Sequence, residues 1–108
     1  MARNYLSGTT NGVRAFGLLL AAERRQQERT ATEVAERAGT TRVTLRRVER
    51  GDPDVAIGLY FEVATVLSVR LFGREGRDLA ELVAQGQRDL ALLPARVHVR
   101  LDEVDDDF

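Results

Sequence analysis

A chain of 108 residues with a net charge of −1 and no cysteine is long enough to bury a modest core, and it forms neither disulfides nor thiolate metal sites. No apolar run reaches the roughly 18 residues of a membrane span. The longest candidate, Ala15 to Ala22, stops at Glu23-Arg24-Arg25, and the opening MARNYLSGTTNG is too polar for a secretory signal.

Ala, Leu, Val, Arg and Glu dominate over aromatics and proline, which favours helix over sheet. Residues 1–10 read as a flexible arm, followed by a first helix capped by Asn11 and running to about Gln27. Val13, Phe16, Leu19 and Leu20 form its apolar stripe. A second helix opens at Thr30-Ala31-Thr32-Glu33. This is a capping box, in which the Thr30 hydroxyl accepts from the Glu33 amide and Glu33 reaches back. Val34, Ala35 and Ala38 point inward, and Gly39 ends the helix where a left-handed residue is needed.

The third helix spans about Thr41 to Arg50 with Leu45 and Val48 inward, and Gly51 closes it. Asp52-Pro53-Asp54 makes a turn. The fourth helix starts at Ile57 or Gly58 and ends near Ser68; Leu59, Tyr60, Val63, Val66 and Leu67 are its apolar face. After a loop over Arg70 to Gly76, a fifth helix covers Asp78 to about Leu90. Pro94 ends that pattern, and Arg96 to Leu101 alternates polar and apolar residues, the period of a strand. A lone strand needs a partner, most simply the same strand of a second copy, placing Val97, Val99 and Leu101 at a dimer interface. The tail DEVDDDF is acidic and reads as disordered.

Charge is divided unevenly. Residues 1–51 hold ten Arg and five acids, net +5; residues 52–108 hold six Arg and twelve acids, net −6. Every basic residue is Arg, whose planar fork matches phosphates and guanine edges. The stretch Thr30 to Gly51 combines a small residue in one helix (Ala35), a turn glycine four residues on (Gly39) and inward apolar residues beginning six further on (Leu45). Those are the demands of a helix-turn-helix, whose second helix enters the major groove of DNA.

From about Ala15 to Val69 the chain resembles the Cro and phage-repressor (XRE) family. The matching residues are Thr30, Glu33-Val34-Ala35, Gly39, Thr41-Arg42 and Val48-Glu49-Arg50-Gly51. Two positions depart: Ala31 stands where many members have a phosphate-clamping glutamine, and Thr40 where most have a buried aliphatic. The resemblance implies an all-α, five-helix, lambda-repressor-like DNA-binding domain over residues 11–93, with the C-terminal strand and tail in 94–108. It implies base contacts from Arg42, Val43 and Arg47, and phosphate contacts from Thr30, Thr41, Thr44, Arg46 and Arg50, supported by helix-start amides. It also implies a buried ion pair between Arg24 and Glu49. The segment from Glu49 through Asp52-Pro53-Asp54-Val55 to Leu59, and the later LPxRV, resemble HipB-type antitoxins within that family.

These features imply a cytoplasmic homodimer that binds an inverted-repeat operator in double-stranded DNA and represses transcription, with a HipA-like kinase toxin as a second partner. The alternative is a free-standing regulator with no toxin. No cofactor, metal or membrane is expected. The acidic tail lacks the spacing of a calcium loop, His98 has no second histidine or cysteine for zinc, and no nucleophile–base pair or phosphate-binding glycine loop suggests an enzyme.

Overall fold

The computed structural model describes residues 3–74 and 76–97, and the chain divides into two compact units, residues 1–76 and 77–108. Helices appear in the order α1 (Ser7–Gln26), α2 (Ala31–Arg37), α3 (Arg42–Glu49), α4 (Ile57–Val66) and α5 (Gly76–Ala91). The described residues contain no sheet, only an isolated bridge between Leu71 and Arg74. None of their helices is long and apolar enough to cross a membrane.

In the first unit α1 and α2 pack against both α3 and α4. Leu20, Val34, Leu45, Val48, Val63 and Leu67 are fully buried at the centre, joined by Ala35, Tyr60 and Ala64. Each large aliphatic side chain so buried contributes about 1.5–3 kcal/mol over its exposed state. The small side chain of Ala35, 2% exposed, lets α2 approach α3 closely.

Four helices end by one device. The residue after each C-cap takes a left-handed conformation: Glu28 (φ 55°), Gly39 (φ 73°), Gly51 (φ 74°) and Ser68 (φ 56°). Its amide and the next return to the carbonyls of the last turn, as in Gly39 N to Glu36 O (3.1 Å) and Thr40 N to Ala35 O (2.9 Å). At Glu28 and Ser68 the conformation is held without glycine by added caps. The side-chain Nε2 of Gln27 donates to Leu67 O (2.8 Å), and the Arg29 guanidinium donates to Val66 O (2.9 Å), so the segment at the end of α1 satisfies carbonyls at the end of α4.

Two glycines govern the α1–α3 crossing. A Cβ on Gly17 would strike the carbonyl oxygens of Val48 and Glu49 and the Gly51 nitrogen, and a Cβ on Gly51 would strike the Arg14 backbone. The two backbones therefore touch where the glycines face them, the close approach that only a missing side chain permits.

Several expectations need correction. α1 begins at Ser7, not after an Asn11 cap, and its N-cap Leu6 makes no side-chain bond. Packing of Val13, Phe16, Gly17 and Leu20 holds the helix, so its first turn forms without a side-chain cap. Leu19 is 44% exposed; the close approach at Gly17 turns the helix so that Leu20, not Leu19, faces the core. The capping box is half made. Thr30 accepts from the Glu33 amide (3.1 Å), but the Glu33 carboxylate turns to Arg29 (2.9 Å) and Arg37 (3.1 Å). The hydrogen bond from Arg29 holds its carboxyl below the usual range.

In the second unit, α5 carries Leu79, Leu82, Val83 and Leu90 along one face, with Val83 61% and Leu90 71% exposed. Beyond it the chain is irregular through Val97, which is 90% exposed and in no strand. Val99, Leu101 and the acidic tail lie outside the described residues.

Candidate nucleic-acid interface

α3 is eight residues long, too short to persist alone in water, so everything it presents depends on how its ends and inner face are held. At its start Thr41 caps the helix: its hydroxyl accepts from the Thr44 amide at 3.1 Å and lies 3.1 Å from the Thr44 hydroxyl. Leu45 and Val48 fix the inner face. At its end the Gly51 amide returns to Val48 O (2.9 Å) and the Asp52 amide to Arg47 O (3.0 Å).

The side opposite Leu45 and Val48 carries Arg42, Val43, Arg46 and Arg50, all exposed, Val43 at 69%. The sole acid of the helix, Glu49, lies off this face. It meets Arg24 of α1 through two bonds, Nε to Oε2 at 2.7 Å and Nη2 to Oε1 at 3.1 Å, while Arg24 Nη1 donates to Arg29 O at 2.9 Å. Both side chains are 13% exposed. The bond to Glu49 raises the Arg24 pKa against the opposing effect of burial, so the guanidinium stays charged. Among the described residues no carboxylate pairs with Arg42, Arg46 or Arg50, while the helix's own carboxylate is spent inward.

Arg47 differs from its neighbours. Its Nε donates to Asp52 Oδ2 at 2.8 Å, with side-chain exposures of 40% and 28%. Asp52 is itself fixed: its other carboxylate oxygen accepts from the Asp54 amide (2.8 Å), and its carbonyl accepts from the buried Tyr60 hydroxyl (2.7 Å). The bond from Arg47 and that from the Asp54 amide hold the Asp52 carboxyl below its usual pKa, and Asp52 raises that of Arg47. Burial pushes the Tyr60 phenol up to about 12. The pair occupies Nε and leaves both terminal nitrogens of Arg47 outside it, so Asp52 orients the fork.

Thr30 lies apart, at the start of α2, where its hydroxyl serves as N-cap. Between α1, the start of α2 and α3 runs a groove of about 480 Å³. Leu18, Ala21 and Ala31 contribute apolar lining, and Arg25, Arg42 and Arg46 line it as well. Ala31, at the position of the family's glutamine, has no side chain that could clamp a phosphate.

Sequence reasoning missed Asp52, Arg25 and Leu18. The i, i+5 spacing of Arg47 and Asp52 is not a helical pairing; it becomes a contact only because the chain reverses at Gly51. Leu18 looks like part of an apolar run until Gly17 sets the helix rotation.

Residues 20–72 match the family model described as Helix-turn-helix. Neither a curated protein nor a solved structure matches the chain. The match runs from Leu20 in α1 through α2, α3 and α4. With α2 ending at a left-handed Gly39 and α3 presenting an arginine face, residues 20–72 are a helix-turn-helix domain.

Proposed function

We propose that the chain is a sequence-specific DNA-binding repressor that uses α3 as its recognition helix. The observation that carries this reading is the outer face of α3: Arg42, Val43, Arg46 and Arg50 exposed together, with Glu49 withdrawn to Arg24. An α-helix fits the major groove of B-DNA, about 12 Å wide. Entering by its N-terminal end, α3 brings Arg42 and Val43 to base edges, Arg42 as a two-bond donor to guanine and Val43 against a thymine methyl. Arg47, held by Asp52, offers its terminal nitrogens to a second guanine. Thr30, Thr41, Thr44, Arg46 and Arg50 supply contacts to phosphates, which fix register without reading sequence.

The regulator acts as a homodimer, with recognition helices about 34 Å apart on an inverted repeat. The exposed apolar face of α5 supports this assembly, since a row of leucines at helical spacing gains most when a second copy covers it. Val97, Val99 and Leu101 are the candidates for an added strand pairing.

The test is a mobility shift on DNA upstream of the chain's own gene, titrated with salt beside a random duplex of equal length. Tighter binding to the upstream DNA, weakening steeply as salt rises, supports the reading. Equal affinity for both duplexes defeats it. A second role, as the antitoxin of a HipA-like kinase, is supported by the LPxRV segment and the Asp52-Pro53-Asp54 turn. Co-expression with a kinase encoded beside the gene yields a stable complex if this holds; separate elution leaves a free-standing regulator.

A further inference from the structure

The groove between α1 and α3 has a composition that DNA alone does not explain. Its arginines suit any polyanion, but Leu18, Ala21 and Ala31 add apolar lining, and Leu18 is 61% exposed. A phosphate backbone gains nothing from apolar lining, whereas an acidic peptide that carries apolar side chains gains from both parts. The chain contains one such segment. Residues 101–108, Leu-Asp-Glu-Val-Asp-Asp-Asp-Phe, hold five acids with apolar residues at 101, 104 and 108.

We propose that the α1–α3 groove receives the acidic segment 101–108 of a second copy of the chain. The electrostatics favour exchange between copies, since one half carries +5 and the other −6. Two chains related by a two-fold axis satisfy both attractions reciprocally, because whatever one copy donates it also receives. Arg25, Arg42 and Arg46 then meet carboxylates in charge-assisted bonds, while Val104 or Phe108 covers Leu18. Glu49 does not oppose this, being already paired with Arg24 at 2.7 Å.

Docking stands without the DNA-binding reading; its consequence rests on that reading. Arg42 and Arg46 belong both to the groove and to the proposed DNA face, so an occupied groove excludes DNA. A groove filled nine-tenths of the time lowers apparent DNA affinity about tenfold.

The absence of native cysteine makes the test direct. A nitroxide on Arg100→Cys in an unlabelled copy is mixed with an equal amount of ¹⁵N-labelled chain that carries no nitroxide. The expected result is broadening of the Leu18, Ala31 and Arg46 amides of the labelled copy, reversed when the spin-labelled copy also carries D102N/E103Q/D105N/D106N/D107N. Leu18→Gln, a change at an exposed position, reduces the docked fraction about threefold or more. No broadening at those amides, or broadening only when nitroxide and isotope are in the same chain, overturns the proposal. In a parallel mobility shift the neutralised variant binds DNA about tenfold tighter at low salt. If neither form binds DNA while broadening persists, the DNA-binding reading fails and the docking stands. If broadening persists but neutralisation leaves DNA affinity unchanged, docking does not compete with DNA and the regulatory part falls.

Discussion

Removing the Glu49 carboxylate isolates a charge inside the domain. Arg24 keeps one bond, to Arg29 O at 2.9 Å, but loses both bonds to Glu49 with its side chain only 13% exposed. Stranding one partner of a buried pair costs about 3–5 kcal/mol. The retained carbonyl and the residual water access place Glu49→Ala near the low end, about 3 kcal/mol. In a domain of this size each kcal/mol lowers the melting temperature by about 4–8 °C, so the expected drop is about 12–24 °C. Thermal and urea unfolding followed by far-UV circular dichroism measure it. Arg24→Met with Glu49→Leu removes both charges and recovers most of the loss, because no ion is left unpaired. Arg47→Ala is the contrast: its pair with Asp52 is 40% and 28% exposed, so solvent screens it and the melting temperature stays close to that of the unmodified chain. A Glu49→Ala protein that melts within about 2 °C of the unmodified chain refutes the reasoning.

Three glycines with different surroundings should separate in unfolding midpoint. Gly39→Ala meets no atom within 4 Å and pays only the left-handed backbone, about 1–2 kcal/mol, whereas Gly51→Ala also strikes the Arg14 backbone and costs more. Gly17→Ala, with ordinary helical geometry, still costs about 1–3 kcal/mol or more by overpacking against the carbonyl of Val48. Stability falls at alkaline pH through Tyr60. Its folded pKa, about 12, exceeds the ordinary 10.0, so its contribution is whole below pH 10 and is lost as pH rises toward 12; Tyr60→Phe removes that part of the dependence. On DNA, Arg46→Ala weakens binding equally across sequences and lowers the salt slope by about 1, whereas Arg42→Ala relaxes preference at one base pair by about 1–3 kcal/mol. Gel titrations on single-base operator variants distinguish the two.

Much of the helix-turn-helix was legible because local chemistry and tertiary packing agree there. Thr30 and Thr41 cap α2 and α3, and Gly39 and Gly51 end them in left-handed conformations. Legibility fails where a residue's role is set by a neighbour far along the chain. Gly17 is a helical glycine with nothing local to mark it, yet it sets the α1 rotation that exposes Leu18 and Leu19. Glu33 satisfies a capping-box pattern, but Arg29 and Arg37 compete for its carboxylate and win through charge. Arg47 reads as one more surface arginine until the reversal at Gly51 brings Asp52 back to it. The helix ends at Glu28 and Ser68 carry no glycine and are tied together by bonds that Gln27 and Arg29, after α1, donate to carbonyls at the end of α4.

The dependence of α3 on distant contacts governs how loss of DNA binding should be interpreted. An eight-residue helix has no independent stability, so the arginine face exists only while Gly17, Glu49 and Tyr60 hold the segment from behind. Substitutions at those positions weaken DNA binding as well as the fold, though none of the three lies on the outer face. Val43 is exposed, 69%, and lies outside the groove lining, so it reports on the interface alone, whereas Arg46, also exposed, lines the α1–α3 groove as well. Arg47 and Asp52 stand between these classes. Their pair adds little stability, yet it fixes where the Arg47 fork points. Asp52→Asn therefore tests orientation: it leaves Arg47 charged, keeps the charge-driven affinity for random duplex, and lowers only the discrimination between operator and random DNA. If Asp52→Asn and Arg47→Ala instead lower affinity for both duplexes equally, Arg47 contacts phosphate and Asp52 has no part in reading sequence.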